Sequence, residues 1–145
     1  MATLDVYGVP GPQGSKRHVG RGRMVESSQK VKPWRAAVVE ACEADLDGPV
    51  RGPVVVTITF YFARPRSHYG TGRNAARLRP TAPPFPTSRR HGDVDKLERA
   101  TLDALVQAGA IDDDAMVVDL HAQKRYGHPA EEGALIEICP AILPT

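Results

Sequence analysis

The chain has 145 residues, 41% hydrophobic and 25% charged, with a net charge of +2. That suffices for one domain with a core of its own and excludes a disordered tail. No apolar run approaches a membrane span and the N-terminus lacks a signal-peptide layout, so the expected location is the cytoplasm.

In chain order, "TLDVYGV" predicts a short first strand, ended by "PGPQG", which cannot pair as sheet. "GRMVESS" adds a second short strand. "KPWRAAVVEACEADLDG" predicts an amphipathic helix: Pro33 suits its first turn, Trp34, Val38, Ala41 and Cys42 form the apolar stripe, and Gly48 follows its end. "VVVTITFYFA" is the strongest strand, β-branched and aromatic throughout. Residues 64–92 then lose periodicity, with five prolines and seven arginines, and predict a long loop, functional or mobile. Leu97, Thr101, Ala104, Leu105 and Ala108 mark one face of a second helix, ended by Gly109. "AMVVDLHAQKRY" and "GALIEICPAI" predict two final strands, taken as antiparallel. The order points to a single α+β domain over 1–145, a mixed or antiparallel sheet carrying two main helices. Cys42 and Cys139, without ligand spacing, are expected in the core.

Charge is segregated along the chain. Between Asp47 and Asp93 there is no acidic residue, whereas residues 91–120 hold eight carboxylates against Lys96 and Arg99. Basic stretches of this kind suit a polyanion, and the acidic segment would repel one unless divalent cations occupied it. Asp93 and Asp95 stand at a loop-to-helix junction, and Asp112, Asp113 and Asp114 open the next strand. Hard cations such as Mg²⁺ or Mn²⁺ take several carboxylate oxygens and leave positions open for water and phosphate. The plainer alternatives are an N-cap for Asp93 and a polar turn for "IDDDA". The two clusters lie at opposite ends of a helix ~20 Å long. They meet either because the segment from Gly109 to Asp114 runs back beside the helix or because a twin subunit supplies one of them. Spacing excludes an EF-hand; the five histidines lack zinc-ligand spacing and read as ordinary surface or core residues, and no glycine-rich nucleotide loop is present.

"DVDKLERATLDAL" followed by "DDAMVVD" closely resembles the core of the RusA-type Holliday junction resolvases, common in phages and prophages. "VPGPQGSKRHVGRGRMVESSQKVKPWRAAV" is similar to that family's opening. The resemblance implies a RusA-like, dimeric fold. It implies a Mg²⁺- or Mn²⁺-dependent endodeoxyribonuclease that binds four-way DNA junctions and resolves them by paired symmetric nicks. No nucleotide cofactor and no membrane are implied. Asp93 and Asp95 match the first two metal-binding aspartates. "DAMVVD" matches the family's second pair to Asp113 and Asp114, with Asp114 the principal ligand and Asp112 an extra. Where the family's helix often carries a functional lysine this chain has Arg99, with Lys96 one turn away. The expected catalytic set is Asp93, Asp95, Asp114, Arg99 and Lys96. The expected metal set is Asp93, Asp95, Asp113 and Asp114, and Lys16, Arg17, Arg89, Arg90 and Lys124 are expected to contact DNA. Asp103 is expected to pair with Arg99 on the helix surface. The alternative function is a catalytically inactive or weak branched-DNA-binding protein. A sugar transferase with a metal-binding Asp-x-Asp needs a nucleotide-binding domain for which there is little room, and an interaction protein leaves the aspartates unexplained.

Overall fold

The computed structural model describes residues 1–14, 16–18, 24–26, 29–127 and 131–143. A ten-residue strand in the middle of the main sheet organises it. In β4 (Val54–Ala63), Val54, Val56, Ile58, Phe60 and Phe62 are buried, while Val55, Thr57, Tyr61 and Ala63 between them are half-buried. This period of two puts one face of the strand against the core. The same core takes Leu4 and Val6 from β1 (Ala2–Tyr7) and Trp34 and Val38 from α1 (Val31–Asp45). It is completed by Leu97 and Leu105 of α2 (Val94–Gln107) and by Ile136 and Ile138 of β6 (Gly133–Pro140). A second, two-stranded sheet pairs β2 (Lys16–His18) with β3 (Met24–Glu26), the latter within the stretch expected to add a short strand.

The main sheet has the order β1-β6-β4-β5, with β5 spanning Val117–Gly127. β5 runs parallel to β4, while β6 is antiparallel to both β1 and β4. The sheet is thus mixed, and the class is α+β. The two final strands run in opposite directions, yet they are not neighbours: β4 stands between them. The reason is α2, which links β4 to β5 as a crossover, and a parallel neighbour requires such a connection. The register of β5 on β4 slips between Val54 and Val55, so Val118 bulges out and is 61% exposed. Beyond it Leu120, Ala122, Lys124 and Tyr126 lie opposite the buried residues of β4. Among the described residues no helix is long and apolar enough to cross a membrane.

The helices are joined by a polar contact inside the core. Trp34 Nε1 donates to Thr101 Oγ1 at 3.0 Å, and that hydroxyl donates to the Leu97 carbonyl at 2.8 Å. Thr101→Val keeps the shape and strands the indole N–H, so a loss of about 1–3 kcal/mol is expected in chemical denaturation. An unchanged midpoint would show that the indole finds another acceptor. Cys42 is buried as expected, and burial, then Glu43, pushes its thiol up to about 11. Cys139 departs from expectation: it is only half-buried, because its place in β6 is opposite Val55, on the face the helices do not cover.

Candidate active site

α2 begins at a junction held from several sides. Gly92 has φ +85°, and a Cβ there would lie 2.6 Å from Pro12, so only glycine fits. The Lys124 ammonium donates to the Gly92 carbonyl at 2.9 Å, Lys30 donates to the Arg90 carbonyl, and the Gln13 amide donates to the Lys96 carbonyl. Asp93 takes the N-cap position in extended conformation, but its side chain caps no backbone amide and is 75% exposed. A capping role therefore leaves its carboxylate unused. Its one ionic neighbour among the described residues is Lys96, at a loose 3.7 Å. Asp95 follows in the first turn, where the helix dipole favours a negative charge. One turn on, Glu98 is half-buried, and burial together with Asp95 pushes its carboxyl up.

The other end of α2 delivers the second group of acids. Gly109, at φ +74°, donates to the Val106 carbonyl and Ala110 donates to the Leu105 carbonyl, the double bond that closes a helix on glycine. Ile111 bridges to Val50, and Asp112 is then clamped by Arg51 at 2.6 Å and the Gly52 amide at 3.1 Å. The Gly52 amide, with Arg51 behind it, holds the Asp112 carboxyl below its usual range. The first of the three aspartates is therefore a structural clamp. Asp113 caps the short 3₁₀ turn Asp114–Met116 through the Ala115 amide. Asp114 hydrogen-bonds with Asp103; burial first, then Asp103 and Asp113, pushes its carboxyl up.

This placement changes two expectations. Asp103 does not pair with Arg99: no ion pair joins them among the described residues, and the Asp103 carboxyl faces Asp114 instead. The segment after Gly109 does not carry Asp114 back to Asp93 either. Asp103 lies ten residues into the helix from Asp93 and eight from Asp95, a rise of ~15 and ~12 Å. Among the described residues no three His, Cys, Asp or Glu side chains stand together as a metal site. The acids do share a flank. Asp95, Arg99 and Asp103 succeed one another at four-residue spacing, so they lie within one side of α2. That spacing was the available signal for Asp103.

The stretch 64–92 is not a formless loop. Gly70 donates to the Arg77 carbonyl, Arg79 to the His68 carbonyl, and Tyr69 bridges Leu78, which ties the segment into a lobe. Arg79 is used in this, its Nε 2.7 Å from the Tyr69 carbonyl, and Arg64 bonds the Pro83 carbonyl while stacking 4.3 Å over Tyr126. Arg66, Arg73, Arg77, Arg89 and Arg90 remain exposed. His91 is 6% exposed and packs on Phe62 at 4.6 Å, with Nδ1 unpartnered among the described residues. Burial, then Arg90, Lys124 and Lys30, holds it below its usual pKa. Lys124, expected on DNA, is half-buried and bonded to Gly92. The side chains of Lys16 and Arg17, in β2, lie outside the described residues.

The donor chemistry suits a hard divalent ion. Asp103 and Asp114 place two carboxyl groups in one hydrogen bond with no cationic side chain in ion-pair range among the described residues. Carboxylate oxygens set close together in this way are the donors a hard cation takes. The fold is α+β, with carboxylates on one helix flank and an arginine-rich lobe leading into that helix. The family model for endodeoxyribonuclease RusA matches residues 7–138 of the chain, and the chain belongs to that family. It is an endodeoxyribonuclease by membership. No curated protein matches it.

Proposed function

We propose that the chain, acting over 1–145 as one domain and as a homodimer in the cytoplasm, binds four-way DNA junctions and resolves them by paired nicks. Asp93, Asp95, Asp113 and Asp114 hold Mg²⁺ or Mn²⁺, with Asp103 added as the partner of Asp114. The observation that carries this reading is the pair of flank carboxylates Asp95 and Asp103 on α2, the second beside Asp114, on a helix whose N-terminus joins an acid-free arginine lobe. A cation bound there supplies an activated water and charge stabilisation at the phosphate. The residues of the chain do the rest. Arg89 and Arg90, exposed in the turn before Asp93, hold the backbone phosphates, with Lys16 and Arg17 as further contacts. Lys96 and Arg99 offset charge on the phosphate beside the acids. Arg99 does so as a permanently charged fork that cannot release a proton. Because the two acidic ends lie ~12–15 Å apart along one helix, the twofold partner completes the cation sites.

The test is a synthetic four-way junction with end-labelled strands, incubated with the protein and Mg²⁺ or Mn²⁺. Symmetric nicks in opposing strands are the expected product. Saturable binding without nicking in both metals would assign the chain to the alternative, a branched-DNA-binding protein without catalysis.

A further inference from the structure

Lys124 stands at a position where a lysine is out of place. Along β5 the residues at its own spacing, Leu120, Ala122 and Tyr126, lie opposite the buried side chains of β4, and Lys124 pairs with Phe60. A lysine meant for phosphate belongs on the other parity, where His121, Gln123 and Arg125 are exposed. Half-burying an ammonium is costly unless it is hydrogen-bonded, and the partner here is the Gly92 carbonyl at 2.9 Å. That carbonyl belongs to the peptide plane whose N–H is Asp93's own. Holding its oxygen holds the backbone from which the Asp93 carboxylate projects.

The need for such a tether is visible in the junction itself. An N-cap aspartate is normally fixed by its side-chain bond to the helix amides, and Asp93 makes none. It follows a glycine at φ +85°, the residue with the widest backbone freedom. Pro12 restrains Gly92 only by contact, and Lys30 and Gln13 bond to the Arg90 and Lys96 carbonyls on either side. Among the described residues Lys124 alone bonds the peptide between Gly92 and Asp93.

We propose that Lys124 is a positioning residue: its ammonium anchors the Gly92 carbonyl and so aims the Asp93 carboxylate, tying β5 to the start of α2. The inference rests on the proposed role of Asp93, but the tether can be read without any metal or cleavage. In the full-length, metal-free protein, Lys124→Met should lower the hydrogen-exchange protection of the Gly92, Lys96 and Leu97 amides, which bond the Arg89 and Asp93 carbonyls, about tenfold, roughly the weight of one charge-assisted hydrogen bond. Junction binding without metal should keep its affinity within about twofold and its salt slope, because no phosphate contact is lost. Cleavage should fall between about 10- and 100-fold and require more Mg²⁺, as for residues that orient a ligand. Lys124→Arg keeps the charge, and a phosphate contact would survive it; here its broader fork should leave loop protection below wild type. If Lys124→Met does not fold, that variant decides. Unchanged exchange at Gly92, Lys96 and Leu97 in the folded variants would overturn the proposal, as would a salt slope shallower by about one. If the wild-type protein cuts no junction while the exchange result holds, the nuclease reading fails and the tether stands.

Discussion

Asp114→Asn is expected to reduce strand cutting at least about a hundredfold while junction binding in the absence of metal survives. Asparagine keeps the size and the acceptor oxygen but removes the charge that makes the position a ligand for a hard cation. Removing one negative charge beside a polyanion weakens no attraction, so metal-free affinity should hold or rise. Folding should hold as well. The Asp114 carboxyl is pushed up by burial and by Asp103 and Asp113, so it binds its proton more tightly folded than unfolded. Such a group costs stability as pH climbs through the window from its unfolded to its folded value. Asn at this position should therefore melt no lower than wild type at neutral pH, with its advantage fading as the pH falls below that window. Asp103→Asn should lose much of the same activity, and the double variant little more, since the two carboxyls share one hydrogen bond. Gel-shift binding, thermal melts and the nicking assay, run on the same preparations, read all three. Loss of binding by a well-folded Asp114→Asn protein would reject the ligand role.

The second large effect is on binding. Counterion release gives a slope of log affinity against log salt that counts neutralised phosphates. The exposed Arg66, Arg73, Arg77, Arg89 and Arg90 of the lobe, together with cations elsewhere, make about six contacts a reasonable number. Affinity for a four-way junction should then fall on the order of a thousandfold between about 50 and 200 mM salt. Arg89→Ala with Arg90→Ala should flatten the slope by about two. Arg64→Ala should act differently. Its guanidinium stacks on Tyr126 and bonds Pro83, so its loss loosens the lobe and lowers affinity with little change in slope. Fluorescence anisotropy across a salt series separates the two. A flat response would show that the arginines only decorate a solvated surface.

Local pattern was enough for much of this protein. Alternation in "VVVTITFYFA" and the three- and four-residue spacing of Trp34, Val38 and Ala41 and of Leu97, Thr101 and Ala104 report which side of each element faces the core, and the strands and helices lie where those periods put them. The matched motif placed the family, and the glycine after α2 marked its end. Tertiary structure decided what the periods do not carry. Which strand neighbours β4, why Asp112 belongs to Arg51, why Asp114 meets Asp103 rather than Asp93, and why Lys124 points at Gly92 all depend on segments from about ten to sixty residues apart. Residues 64–92 close into a lobe through backbone bonds that leave no hydrophobic period to read. Burial writes itself into the sequence residue by residue, whereas a hydrogen bond or a carboxyl pair exists only once the path of the chain has set two distant groups side by side.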